Sequence, residues 1–353
     1  MDAKQRETGN RSSSPLLYLL KWMLAAAVIM TLLLYVPTPY AAYEPGIAFP
    51  TKPLVKAEQN SEASKGAFML TTVQLSYVNL WKTIRSTWDD NIELHRKKDV
   101  LGGEDEETFI ARQTVIMQGS SVDAIEAAYR AAGVAYQIEP YALVVTDGGD
   151  QAGEQGKQLM TGDELLAVRG QAVASLAELR AALDGVTTPQ VVEVMVERQE
   201  RHVQLNLSVS GAVEAGSEAE AVGVAQLAEQ RRMIPQLAKD QVTIEAGDIG
   251  GPSAGLMFAL QTLDLLTAGD LTAGLQVAGT GTIDADGTVG PIGGIDHKVV
   301  AADRAGAQVF LVPEKNAEAA REKASAIGTD MLIVSVTSLP EAVEALHSMK
   351  HAG

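Results

Sequence analysis

One serine in this chain stands out by its neighbours. Residues 247–260 read GDIGGPSAGLMFAL, so Gly250, Gly251, Pro252 and Gly255 surround Ser253. Proline cannot lie inside a helix but suits its first positions. Leu256, Met257, Leu260 and Leu263 then recur at helical spacing. Ser253 is therefore expected at a helix N-terminus, behind a loop of glycines. Backbone N–H groups there lack intrahelical partners and can hold an oxyanion. The glycines let a substrate carbonyl approach the backbone closely. A buried N-cap serine is the alternative, which the surrounding glycines weaken. The same GPSAG run fits the loose G-x-S-x-G nucleophile elbow of α/β-hydrolase esterases. That elbow needs its serine directly after a strand, and here GDIGGP separates Ser253 from the strand VTIEA.

A second segment, AGTGTIDADGTVGPIGGIDHKVVAADRAGA at 278–307, gives a turn-rich path from a strand to a helix. Lys298 falls in the first turn of that helix. The helix dipole disfavours a cation at this end, as burial would. A neutral lysine amine can act as a general base. Taken alone, the residues leave open a solvated surface lysine. Other chemistries are excluded more firmly. The chain has no cysteine, so neither a cysteine nucleophile nor a thiolate zinc site exists. Its five histidines (His95, His202, His297, His347 and His351) form no H-E-x-x-H pattern. No metal and no cofactor is expected. A formal charge of −17 argues against a nucleic-acid binder, which needs a basic footprint.

The 353 residues suffice for two or three domains. Residues 16–36, LLYLLKWMLAAAVIMTLLLYV, are apolar apart from Lys21 and long enough to span a bilayer as a helix. Pro37 and Pro39 end the run. Lys4, Arg6, Arg11 and Lys21 precede or open it, and no Lys or Arg follows until Lys52. The positive-inside rule then leaves the N-terminus in the cytoplasm and everything after Tyr40 outside. A cleaved signal peptide is the alternative, but PTPYAAYE offers no clean small-x-small site.

Beyond a polar tether, FMLTTVQLSYV (68–78) reads as a strand and LGGEDEE (101–107) as a solvated loop. Residues 109–132 read as helical, broken near Gly119 with Ser120 or Ser121 as an N-cap. From 134 to 210 the order is strand VAYQIE, strand ALVVT, a glycine-rich loop, a Gly162–Asp163 turn, strand ELLAV, a helix capped by Ser175, then strands VVEVMVER and HVQLNLSV. Residues 211–221 are small and acidic and read as a linker. From Val222 onward strands and helices alternate, as in an α/β or α+β domain.

The serine and lysine segments together resemble the proteolytic domain of the Lon family, which uses a Ser–Lys dyad. The matching residues are GPSAG at 251–255, PIGGIDHK at 291–298 and the AGTGTI run, over roughly 222–348. The resemblance implies that Ser253 is the nucleophile and Lys298 the base. It implies that the Thr280 hydroxyl orients the lysine and that Gly251 and Pro252 belong to the serine loop; Asp248, just ahead, is expected to cap or fix that loop by hydrogen bonds. GDELLAVRGQAV resembles a bacterial PDZ domain, which binds extended peptides by strand addition. The whole order resembles exported, membrane-anchored serine proteases of the SepM/YlbL type in Gram-positive bacteria.

The fold expected is thus α+β and multidomain: a cytoplasmic tail and transmembrane anchor (1–40), an extracellular segment (41–133), a PDZ-like domain (134–210), a linker (211–221) and a Lon-type peptidase domain (222–353). The function expected is an ATP-independent serine endopeptidase at the cell membrane. It would act on exported peptides or unfolded segments docked on the PDZ-like domain, with a homo-oligomer by analogy. No G-x-x-x-x-G-K-[ST] phosphate loop occurs; GEQGKQ has the wrong spacing. An inactive PDZ-containing scaffold and the esterase are the alternatives.

Overall fold

The computed structural model describes residues 15–58, 64–148, 158–186, 190–209, 216–247 and 249–350. It is a mixed α/β structure that divides into two compact units, one of residues up to Glu44 with Leu75–Gly102, the other of Pro45–Gln74 with residues from Gly103 on.

The first unit opens with α1 (Pro15–Tyr35), which has no buried residue. At 1.5 Å per residue its 21 residues run ~31 Å, the thickness of a hydrocarbon core, so it is long and apolar enough to cross a membrane. The unit then contains the first part of β1 (Pro37–Pro50). Asn79 caps a short helix after the later strand by accepting from the Lys82 N–H (2.8 Å), and its amide donates to the Leu34 carbonyl (2.9 Å). Tyr40–Tyr43 pair antiparallel with Glu93–Arg96 over a small core of Ala42, Val78 and Ile92.

Among the described residues the second unit holds two larger sheets and two two-stranded ones. Its elements begin with β2 (Val55–Ala57) and β3 (Ala67–Asn79, shared with the first unit). Leaving α2 for the Leu80–Arg85 helix, β4 for Glu93–Arg96 and α3 for Lys97–Leu101, the next are α4 (Glu106–Ala132), β5 (Tyr136–Asp147), β6 (Glu164–Val168), β7 (Gln171–Ala172) and α5 (Leu176–Ala182). They continue with β8 (Gln190–Arg198), β9 (Arg201–Val209), α6 (Glu218–Ala221), β10 (Gln226–Pro235), β11 (Val242–Ile244) and α7 (Gly255–Leu266). The chain ends with β12 (Gln276–Gly279), β13 (Thr282–Ile283), β14 (Val289–Gly290), α8 (Ile295–Arg304), β15 (Val309–Pro313), α9 (Ala317–Ile327), β16 (Leu332–Val336) and α10 (Leu339–Lys350).

Strands β16, β15, β12 and β3 lie side by side, all parallel. Side chains alternate across the sheet, as the two-residue period of a strand requires. Phe68, Leu70, Val277 and Leu311 pack with α4, α7 and α10, whereas Met69, Ala278, Phe310 and Val312 pack with α8 and α9. Helices on both faces explain why β15, VFLVP, is buried at every position.

The other sheet is antiparallel, in the order β10-β5-β6-β8-β9, with β7 on β6. Leu143 and Val145 join its core with Leu165, Val194, Leu205 and the α5 residues Leu179 and Ala182; Ala142 and Val144 face Val115 of α4. The Gly162–Asp163 turn is held by Arg198, whose Nε and Nη2 each lie 2.7 Å from an Asp163 carboxylate oxygen. Ser175 caps α5, accepting from the Glu178 N–H at 3.2 Å.

Three sequence expectations change. The helix through Gly119 is not broken: α4 runs unbroken for 27 residues, capped by the Asp105 carboxylate on the Thr108 N–H. A mid-helix glycine costs about 1 kcal/mol, and buried packing on both sides outweighs it. Ser121 back-bonds to the Met117 carbonyl rather than capping. VAYQIE and ALVVT form one strand, β5, across Pro140. The stretch read as linker contains α6, where Glu218 pairs with Arg180; residues 211–215 lie outside the described part. The core beneath Ser253 also draws on β3 and α4, from well before Val222.

Candidate functional site

Ser253 sits in a single 3-10 turn, Pro252–Ala254, that leads into α7. Gly251 ahead of it has φ +81, a conformation open to glycine, and its N–H donates to the Gln113 carbonyl of α4 at 3.1 Å. Ser120 of the same helix donates to the Pro252 carbonyl at 3.1 Å. Gly255 permits this approach, because a Cβ there would lie 2.8 Å from the Ser120 Oγ. The turn is therefore pinned to α4 from both sides of Pro252. Pro252 has no N–H, and the amides that open the turn precede any carbonyl able to take them within the helix.

Lys298 comes from α8, which starts beyond the carboxyl end of β12. Gly294 ahead of α8 has φ +67 and lies against Val73; a Cβ there would come within 2.8 Å of Val73 Cγ2. The lysine is only 3% exposed and its Nζ reaches 2.7 Å from the Ser253 Oγ. It also lies 2.9 Å from the Thr280 Oγ1. Thr280, fully buried, follows β12 and is fixed by its own N–H on the Leu311 carbonyl (3.0 Å). Its hydroxyl donates to the Ser253 carbonyl at 2.9 Å, which the Gly281 N–H also reaches at 2.9 Å. The Thr280 proton being committed there, its oxygen accepts from the amine. As the ammonium, Lys298 donates to both hydroxyls; in the neutral amine one N–H is used on Thr280 and the nitrogen lone pair can take the serine O–H.

Burial alone pushes the Lys298 pKa down from 10.5 to about 7. Removing an ammonium from water is expensive, and the group responds by losing its proton. Around the pair is a cleft of about 350 Å³ lined by Leu70–Val73 of β3, Ile249, Gly250, Ala254 and Gly293. Its position, beyond the carboxyl end of a parallel strand, is where open α/β sheets place their ligands. Chemically, a hydroxyl beside a neutral amine and free amides can attack a carbonyl carbon.

The expected residues Ser253, Lys298 and Thr280 are brought into mutual contact, with Gly251 and Pro252 shaping the serine turn. Asp248 lies outside the described residues. Gln113, Ser120 and Thr71–Val73 were not anticipated. They approach from more than a hundred residues away, so nothing in the local sequence marks them. Among the described residues no cluster of three or more metal-ligating side chains occurs.

Residues 191–348 match the Lon protease (S16) C-terminal proteolytic domain. The C-terminal part of this chain is thus similar to a Lon-type proteolytic domain, and the likeness to Lon-family peptidases rests on these residues. The chain is similar to the Lon protease of Roseiflexus castenholzii, 38% identical over 108 residues, which are 30% of this chain and 13% of that protein. It is 32% identical over 165 residues to the Lon protease of Phenylobacterium zucineum, covering 45% and 18%. To the Lon protease homolog 2, peroxisomal, of Mus musculus it is 38% identical over 95 residues, covering 27% and 11%. These matches span less than a fifth of each relative's length.

Proposed function

We propose that this protein is a membrane-anchored serine endopeptidase that works without ATP, with Ser253 as nucleophile and Lys298 as general base. The observation that carries the reading is the 2.7 Å approach to the Ser253 hydroxyl of a buried amine whose pKa burial lowers to about 7. As Oγ bonds to a peptide carbonyl carbon, its proton passes to the Lys298 nitrogen. The developing oxyanion is held by backbone N–H groups at the start of the turn, each typically worth about 3–4 kcal/mol. Collapse breaks the C–N bond, and the lysinium returns its proton to the leaving amine. Water, deprotonated by the same amine, then hydrolyses the acyl-enzyme.

The helix α1 supports a single-pass anchor, with the N-terminus cytoplasmic and the catalytic part outside. The missing phosphate-loop motif supports independence from ATP, so substrates are short peptides or segments already extended. The antiparallel sheet with α5 supports the PDZ-like reading and a role in holding such segments. The test is cleavage of an unstructured fluorogenic peptide by the full chain in detergent micelles. Cleavage without nucleotide is expected; activity that needs ATP, or that survives Ser253→Ala, overturns the proposal.

A further inference from the structure

A groove of about 700 Å³ adjoins the cleft within the same unit. Its floor is one face of α4, where Thr114, Met117, Gln118, Ser121 and Ile125 fall at helical spacing. One wall is Arg231–Ile234 of β10; the other is Val242–Gly247, formed by β11 and the loop after it. Ile249 lines both this groove and the Ser253 cleft, so the two adjoin at that residue.

Both walls are edge strands. Among the described residues β10 ends its sheet with β5 as its one neighbour, and β11 pairs with β2 alone. Each therefore has a backbone edge with no strand partner, and such edges accept an added strand. The Val242 N–H donates to the Tyr129 hydroxyl (3.2 Å) and the Val242 and Met233 carbonyls accept from the Gln241 amide (3.1 and 3.5 Å), so a guest strand pairs at the other positions. The charged side chains of the walls are already paired: Arg231 with Asp123, Arg232 with Glu139 and Glu245 with Lys56. What the groove offers a guest is thus backbone, apolar side chains such as Met117, Ile125 and Ile234, and neutral polar ones such as Thr114, Gln118 and Ser121. Four residues of β10 wall correspond to ~13 Å of extended chain at ~3.3 Å per residue. Before β10, the N–H groups of Val222, Gly223, Val224 and Ala225 bond to Glu218, Glu220, Ala219 and Asp147 carbonyls. They leave no amide nest for a terminal carboxylate, which favours an internal segment over a chain end.

We infer that this groove is a second substrate-binding surface, which takes an extended, uncharged internal segment of the polypeptide by strand addition and leads it to Ser253. The inference rests on the peptidase reading for its purpose, but the binding it describes needs no catalysis.

The absence of cysteine from the sequence gives a direct test. Ile234, 40% exposed in the groove, becomes a single thiol in the full-length Ser253→Ala, Ile234→Cys protein in detergent micelles. The probe is a fluorescein-labelled peptide of about 16 residues, built of Val, Leu, Thr and Ser with one central Cys. Disulfide capture is expected at Ile234→Cys at least ten-fold above that at Lys315→Cys, an exposed control far along the chain. Adding Gln118→Trp, which fills the groove, should cut capture at 234 at least ten-fold. Equal capture at 234 and 315, capture indifferent to Gln118→Trp, or linkage between two protein chains in place of the peptide overturns the inference. Because Ser253 is absent from the test, a failure here is separable from a failure of the peptidase reading.

Discussion

Protons should switch this site off through Lys298 itself. With the amine titrating at about 7, roughly half of the molecules hold it neutral at pH 7 and about one in a hundred at pH 5. If the neutral amine is the base, log kcat/KM should rise with unit slope up to about pH 7 and level off above. The same depression couples to stability. The native amine releases its proton near pH 7 and the unfolded one near 10.5, so between these values the unfolded chain binds the extra proton and stability increases with pH. At about 1.4 kcal/mol per unit the full span is on the order of 5 kcal/mol, present above 10.5 and lost as pH falls through about 7. Lys298→Met should remove that dependence and be more stable than the parent at pH 6. The assay is initial cleavage of a fluorogenic peptide from pH 5 to 9, paired with urea unfolding at pH 6 and 9. A rate independent of pH down to 5, an inflection above 9, or identical stability slopes for parent and Lys298→Met would refute the reasoning.

Further outcomes follow from the same geometry. Thr280→Val removes an acceptor that favours the ammonium more than the amine; kcat should drop about 10–100-fold while the acid limb of the profile moves to lower pH. An unchanged limb would show that Thr280 does not touch the base in solution. Arg198→Ala leaves the buried Asp163 carboxylate without its bidentate partner, and should cost about 3–5 kcal/mol in chemical unfolding; a loss under 1 kcal/mol contradicts this. Gly294→Ala combines a left-handed backbone with a clash on Val73. It should lower stability by at least about 1 kcal/mol and raise KM, because Val73 lines the cleft; unchanged KM would place the substrate elsewhere.

How much of this was legible beforehand depends on the range of each signal. The Ser253 turn could be read because its causes are local: a proline that fits only the start of a helix, glycines where φ is positive, and an apolar helix face behind. The parallel strands were legible as short apolar runs, and α1 by length and hydropathy. Lys298 was different. Its neighbours in sequence do not show that it is buried, and only the resemblance of the surrounding motifs singled it out. The contacts of Gln113 and Ser120 with the serine turn had no signal at all, since they depend on how α4 packs against α7. The same blindness explains why α4 was expected to break at Gly119: propensity was visible and the packing that overrides it was not. The membership of β3 in the parallel sheet beside Ser253 is likewise a matter of pairing with β12, which requires residues about two hundred positions apart to meet.

The central claim is that Ser253 and Lys298 act as one unit, and the measurement that addresses it most directly is a double-mutant cycle. Peptide cleavage would be compared in Ser253→Ala, Lys298→Ala and the double variant, all in the full chain. Each single change is expected to lower kcat/KM by at least about a thousand-fold, with the double variant no worse than either, as for residues that function together. Cleavage persisting in Lys298→Ala, or losses that multiply in the double variant, would contradict it.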